Sequence, residues 1–147
     1  MLIVWELPDK SIAITNLFPG VDPQEEIAKI NEERPELTFK LLVQDHEEFA
    51  VKLDLFFKAI EMQDDNTPAY NMVKARDIWR EKIRNDRFMK LKQLDAAYQM
   101  ALESGDKAKM DSVIADKEVL RNAPNDPAID NANTLEELQA VYPDLLK

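Results

Sequence analysis

His46 is the single histidine of this 147-residue chain, and no cysteine accompanies it. A nucleophilic triad needs an imidazole held between a nucleophile and an acid. The neighbours here, Asp45, Glu47 and Glu48, read instead as a solvated acidic turn. One histidine without thiolates supplies no transition-metal ligand set. Hard cations need clustered oxygens, and the candidates are Asp64-Asp65-Asn66 and Asn125-Asp126 with Asp130. Neither has the glycine-centred spacing of a calcium loop, and Asp and Asn at such places are ordinary turn formers. Two glycines cannot build a phosphate cradle, and no G-x-x-x-x-G-K-S/T, G-x-G-x-x-G or G-x-S-x-G motif is present. A glycosidase-like pair could be drawn from the 29 carboxylates, but it needs a shaped cleft that no aromatic pattern announces. The expectation is a protein that is not an enzyme, with no catalytic residue, metal or cofactor.

The most distinctive spacing belongs to cations. Arg76, Arg80, Arg84 and Arg87 flank Trp79 and Ile83. At about 100° per residue the four arginines fall within an arc of about 80° on a helix. That face continues into Leu94 and Tyr98, so what is apolar core further along is arginine-lined here. Two coverings are open. The chain's own C-terminus is the economical one: Thr134-Leu-Glu-Glu137 is a capping box, followed by Leu138, Val141, Tyr142, Leu145 and Leu146. Alternatively Arg76, Trp79, Arg80, Ile83, Arg84 and Arg87 bind a partner, since tryptophan and arginine are enriched at binding hot spots.

Net charge is −10 and unevenly placed. Residues 1–70 hold 6 basic and 15 acidic groups, residues 71–92 hold 8 and 3, and residues 93–147 hold 5 and 11. So acidic a molecule repels nucleic acid and anionic membranes at long range, and no reading-helix motif accompanies the basic block. That block is expected to face the chain's own acidic N-terminal part. No apolar run approaches the roughly 20 residues that cross a bilayer, and Met1–Trp5 lacks the basic start of a signal peptide. A chain this long can bury roughly 70% of its unfolded surface without metal or disulfide.

The elements that must position these residues read as α+β. Leu2–Leu7 and Ser11–Asn16 are rich in β-branched and aromatic residues and are joined by Pro8-Asp9-Lys10, which predicts a hairpin. Phe18-Pro19-Gly20 breaks the chain, and Asp22, Pro23 and Glu25 start a helix whose apolar face is Ile27 and Ile30, ended by Pro35. Thr38–Gln44 is the third strand. Phe49, Val51, Leu53, Leu55, Phe56, Phe57, Ala59 and Ile60 fit helical and strand patterning about equally, and a helix over 53–61 is favoured for its stripe through Leu53, Phe56, Phe57 and Ile60; Asp64–Pro68 is a loop or linker. From Asn71 to Ser104 strong helix formers run without glycine or proline. Gly105-Asp106 breaks that run, and a second helix to Asn122 folds back as an antiparallel hairpin. Leu91, Leu94, Tyr98, Ala101 and Leu102 would meet Met110, Val113, Ile114, Lys117 and Leu120. The division predicted is a small three-stranded α+β domain over 1–68, then a helical hairpin with a short C-terminal helix over 69–147.

Several motifs in order carry a resemblance: Val73-Lys-Ala-Arg-Asp-Ile-Trp-Arg-Glu-Lys-Ile-Arg84, Leu94-Asp-Ala-Ala-Tyr98, Ala101-Leu-Glu-Ser-Gly-Asp106, Lys117-Glu-Val-Leu-Arg121, Ala123-Pro-Asn-Asp-Pro127 and Thr134-Leu-Glu-Glu-Leu138. The run resembles small proteins of tailed bacteriophages, often encoded among tail, baseplate or tail-fibre genes. Val4-Trp5 and Ser11–Thr15 extend the likeness to the opening hairpin. Tyr142-Pro143 departs from it, because a tryptophan is expected before that proline. The resemblance implies a virion protein of the tail region, made in the host cytoplasm. It would contact other tail, baseplate or fibre proteins in symmetric copies, self-association included, with no nucleic acid and no membrane. A minor structural or adaptor component is the first reading. The alternative is an assembly chaperone absent from the mature virion; the net charge of −10 adds a third reading, an acidic inhibitor that mimics DNA, which lacks a long acidic helix face.

Overall fold

A computed structural model describes residues 1–43, 55–65 and 67–147. It is α+β, and it resolves into two compact units, Met1–Ala75 and Arg76–Lys147.

The first unit is built around β1 (Leu2–Glu6), which pairs antiparallel with β2 (Ile12–Asn16) on one side and β3 (Thr38–Val43) on the other. A register shift at Val4/Trp5 lets β3 carry one extra residue, Lys40, whose ammonium reaches Glu6 at 3.4 Å. Strand residues alternate between faces, and here both faces are covered. Leu2 and Val4 pack with Ile12, Ile60 and Met62, whereas Ile3 and Trp5 pack with Ile27 and Leu37. A strand buried on both sides carries an unbroken apolar run, which is why Leu2–Trp5 shows no polar alternation. The Trp5 indole N–H donates to Thr15 Oγ1 at 3.1 Å, so the ring is buried with its polar atom satisfied.

Ile27 comes from α1 (Pro23–Glu33), started as the sequence predicts: Pro23 holds the first position and Asp22 Oδ1 accepts from Gln24 N at 2.7 Å. The expected helix over 53–61 is not what forms. Phe57–Ala59 is a single 3-10 turn, and Ile60–Met62 is a strand, β4, paired antiparallel with β5 (Pro68–Tyr70). Leu53 lies outside the described residues, as do Asp45, His46, Glu47, Glu48 and Asn66. The deciding pattern has period two: Ile60 and Met62 are buried, while Glu61 turns outward to Lys74 at 2.8 Å. Between β4 and β5, Asp65 Oδ1 accepts from Thr67 N and Gln63 N donates to Thr67 O, both at 2.9 Å.

Helix α2 (Met72–Ser104) begins in this unit. Asn71 Oδ1 accepts from Val73 N and Lys74 N, and Asn71 N donates to Ala59 O. These ties place the unit boundary one turn inside the helix rather than at the linker.

The second unit pairs the rest of α2 with α3 (Lys107–Asn122) as the expected antiparallel hairpin. Gly105 has φ +70, a left-handed conformation that lets Gly105 N and Asp106 N bond back to Leu102 O and Ala101 O. Asp106 then caps α3 through Lys109 N at 3.0 Å. Ala101, Val113 and Leu120 are buried. Leu102 and Ile114, expected in this seam, are half exposed at 50% and 49%. Helical spacing brought them to its edge rather than into it. Lys117 joins as predicted, 2.6 Å from Asp95 and over the Tyr98 ring. Two short helices follow, α4 (Pro127–Asn131) and α5 (Leu135–Ala140), and their Ile129 and Leu138 are fully buried.

The Pro8–Lys10 turn of the first hairpin generates a prediction. Lys10 N donates to Leu7 O, Leu7 N donates to Ser11 O, and Lys10 sits at φ 66. This is a three-residue loop whose last position favours glycine. A left-handed non-glycine costs about 1–2 kcal/mol, and Lys10 returns only an exposed ion pair to Asp64 at 3.6 Å. After glycine's own entropic cost, Lys10→Gly is expected to raise unfolding free energy by about 0.5–1 kcal/mol in urea titrations.

Candidate functional site

The cationic face of α2 is the most elaborate polar arrangement in the second unit, and what it grips is main chain. Arg76 donates through Nη2 (2.8 Å) and Nε (3.3 Å) to the carbonyl oxygen of Ala132. The Trp79 indole N–H donates to Val141 O at 2.9 Å. One nitrogen of Arg87, Nη1, donates to both Leu120 O (3.0 Å) and Arg121 O (2.7 Å). Arg80 spans two carboxylates, Asp77 at 3.1 Å and Asp130 at 2.5 Å. Ile83 is fully buried and Trp79 is 5% exposed. Five of the six residues proposed from the sequence as partner-binding are therefore held within the second unit. Arg84 is the sixth: it pairs with Glu81 on its own helix and keeps 42% of its side chain exposed.

One cation of the basic block meets the acidic N-terminal part, Lys74 with Glu61 at 2.8 Å within the first unit, while Arg80 and Arg84 find carboxylates within the second. Their ion-pair partners are Asp77, Glu81 and Asp130, all in the second unit.

The sequence reading left a polar knot here unassigned. Tyr142 OH donates to Asp86 Oδ2 at 2.7 Å, and Lys82 pairs with the same carboxylate. The Lys82 ammonium lies 5.0 Å from the Tyr142 ring centroid and 5.8 Å from that of Trp79, and the two rings are 5.7 Å apart. Burial pushes the Asp86 carboxyl up, but the hydrogen bonds from Lys82 and Tyr142 outweigh it and hold the group below its usual value. Burial, and then the bond to Asp86, push the Tyr142 phenol up. The hydrogen bond to Asp86 raises Lys82. The i, i+4 spacing of Lys82 and Asp86 was legible; the approach of Tyr142 from 56 residues away was not.

Among the described residues no group of three or more His, Asp or Glu side chains could hold a metal ion. The two carboxylate clusters act as turn and cap formers: Asp65 binds Thr67, and Asp126 Oδ1 accepts from Ala128 N at 2.9 Å to start α4. His46 falls outside the described residues. A cleft of about 540 Å³ opens beside the end of α3, lined by Val119, Ala123, Pro127, Val141 and Pro143, with Asn122, Asn125 and Asp126 as its polar wall. Its one carboxylate, Asp126, is already engaged as a helix cap. No helix among the described residues is long and apolar enough to cross a membrane. Comparison with protein families, with curated proteins and with solved structures finds no match to this chain.

Two predictions follow from this geometry. Trp79→Ala removes a buried ring and leaves the Val141 carbonyl without its donor, so it should destabilise the fold by about 3–5 kcal/mol. An unchanged melting temperature would make Trp79 a surface anchor instead. Because the Asp86 carboxyl is lowered from 3.8, its contribution is complete above that value and lost as pH falls through the folded one. Urea midpoints measured across that interval should fall less steeply for Asp86→Asn than for the native chain.

Proposed function

We propose that this chain is a non-enzymatic bacteriophage virion accessory protein. It serves as a minor structural or adaptor component of the tail, baseplate or tail fibre and works through protein–protein contacts. The observation that carries the reading is the resemblance together with where its residues lie. Arg76, Trp79 and Arg80 of the first motif meet the chain on either side of Thr134–Leu138. Gly105-Asp106 of the third motif makes the hairpin turn, and Leu120 of the fourth is buried in the seam and offers its carbonyl to Arg87. From Arg76 onward the motifs that resemble phage proteins lie together in the second unit, which supports reading them as parts of one architecture. They are not scattered over unrelated surface.

A component of this kind presents rigid surface to neighbours. The second unit offers the exposed outer side of α2 from Arg76 onward. The first offers Phe18, 77% exposed beside the acidic start of α1.

Quantitative mass spectrometry of purified virions from the encoding phage tests the proposal. The expected result is stoichiometric presence, in a multiple of about three or six copies, one of the closed symmetries open to a repeated component. Absence from virions with abundance in infected cells would overturn it in favour of an assembly chaperone or a host-directed inhibitor.

A further inference from the structure

We infer that the outer face of α2 between Phe88 and Glu103 is the contact surface of a two-fold, antiparallel homodimer. At about 100° per residue, Phe88, Met89, Lys92, Ala96, Met100 and Glu103 fall within an arc of about 120°, on the side of the helix opposite Tyr98 and Ala101. All six are exposed. The three large apolar ones are exposed by 56% (Phe88), 60% (Met89) and 71% (Met100). An apolar stripe of this kind on a long helix marks a surface that buries itself against another element.

The charges on the stripe choose the occupant. It carries one cation and one anion, Lys92 and Glu103, eleven residues or about three turns apart. Its net charge is zero, so it does not select an acidic or a basic stranger. It is complementary to itself when reversed. A two-fold axis passing between Ala97 and Tyr98 in sequence sets each Lys92 opposite Glu103 of the second copy, twice over. The same register sets Ala96 opposite Gln99, the layer spacing of an antiparallel helix pair. Ala96 is small enough at the centre for the backbones to approach. Met100 then covers the Ala96 turn of the second copy, and Phe88 with Met89 reaches its Gly105 turn. Parallel pairing in register would set lysine on lysine and glutamate on glutamate.

Both charged groups are available for this contact. The Lys92 ammonium lies 4.5 Å from the Phe88 ring centroid and has no carboxylate within ion-pair distance among the described residues. Glu103 accepts one surface hydrogen bond, from Gln99 Nε2 at 3.2 Å. This inference does not depend on the virion reading.

Sedimentation equilibrium of the full chain tests it, over concentrations up to on the order of 100 µM, since an interface of one helix face is a small one. The expected mass is twice the 17.0 kDa of the chain at the upper end. Lys92→Glu and Glu103→Lys should each be monomeric there, with helical circular dichroism unchanged. Mixing the two variants in equal amounts should restore the dimer, because each supplies the sign the other lacks at both contacts. A native chain that stays monomeric would overturn the proposal. So would a dimer that persists in both charge variants, or monomeric variants that fail to associate on mixing.

Discussion

The second unit depends on side-chain donors of one helix reaching main-chain acceptors of a distant segment. Helices α4 and α5 have five and six residues, too short to hold themselves in water. Their own caps, Asp126 and Thr134, satisfy the first amides of each. Their place is fixed by Arg76 on Ala132 O, Trp79 on Val141 O and the burial of Ile129 and Leu138. A guanidinium suits this task because it presents several donors in a rigid plane and is weakly hydrated. Arg87 uses it on two consecutive carbonyls at the end of α3, where helix acceptors lack internal partners. No buried side-chain polar atom among the described residues is left without a hydrogen bond. Arg76, Arg80 and Arg87 are partly buried with their donors engaged, which limits the cost of taking them out of water.

This reassigns the most conspicuous feature of the sequence. Arginine and tryptophan on one helix face look alike whether they hold a partner or the chain's own end, because both uses need donors next to an apolar platform. The structure covers that face with the chain's own C-terminal segment. The contacts by which the chain acts on others, in the reading proposed here, fall to surfaces with plain side chains: an aromatic on a tight turn and the outer stripe of a helix.

Much of this was legible from residues. The hairpin about Pro8–Lys10, the Asp22-Pro23 helix start and the Gly105-Asp106 reversal each depend on local chemistry that one or two side chains decide, and each formed where expected. The covering of Trp79 by the C-terminal segment was readable as the economical option, because the capping box and the apolar residues after it had nowhere else to go. What was not readable has common physical causes. Phe56, Phe57 and Ile60 satisfy a helical stripe, yet Ile60 and Met62 satisfy a strand equally well, and pairing with Pro68–Tyr70 decided between them. Carbonyl acceptors belong to every residue and leave no mark in a sequence, so the targets of Arg76 and Arg87 were invisible. Which carboxylate each cation takes is set by single neighbours that bulk charge does not name: Asp130 pairs with Arg80 within the second unit, and Glu61 with Lys74 within the first.

The central strand of the first unit carries a different lesson. Val4 and Trp5 are bonded neighbours, yet they belong to separate apolar clusters on opposite sides of one sheet. Val4 shares its environment with Ile60 and Met62, and Trp5 shares its own with Ile27 and Leu37. Energetic coupling follows shared surroundings rather than chain proximity. Substitutions at successive positions of β1 can then act nearly independently, while changes far apart in sequence are felt jointly. A five-residue strand serves as the partition between two cores that must each be filled on their own terms, and the allowed volume at each position is set by residues tens of positions away.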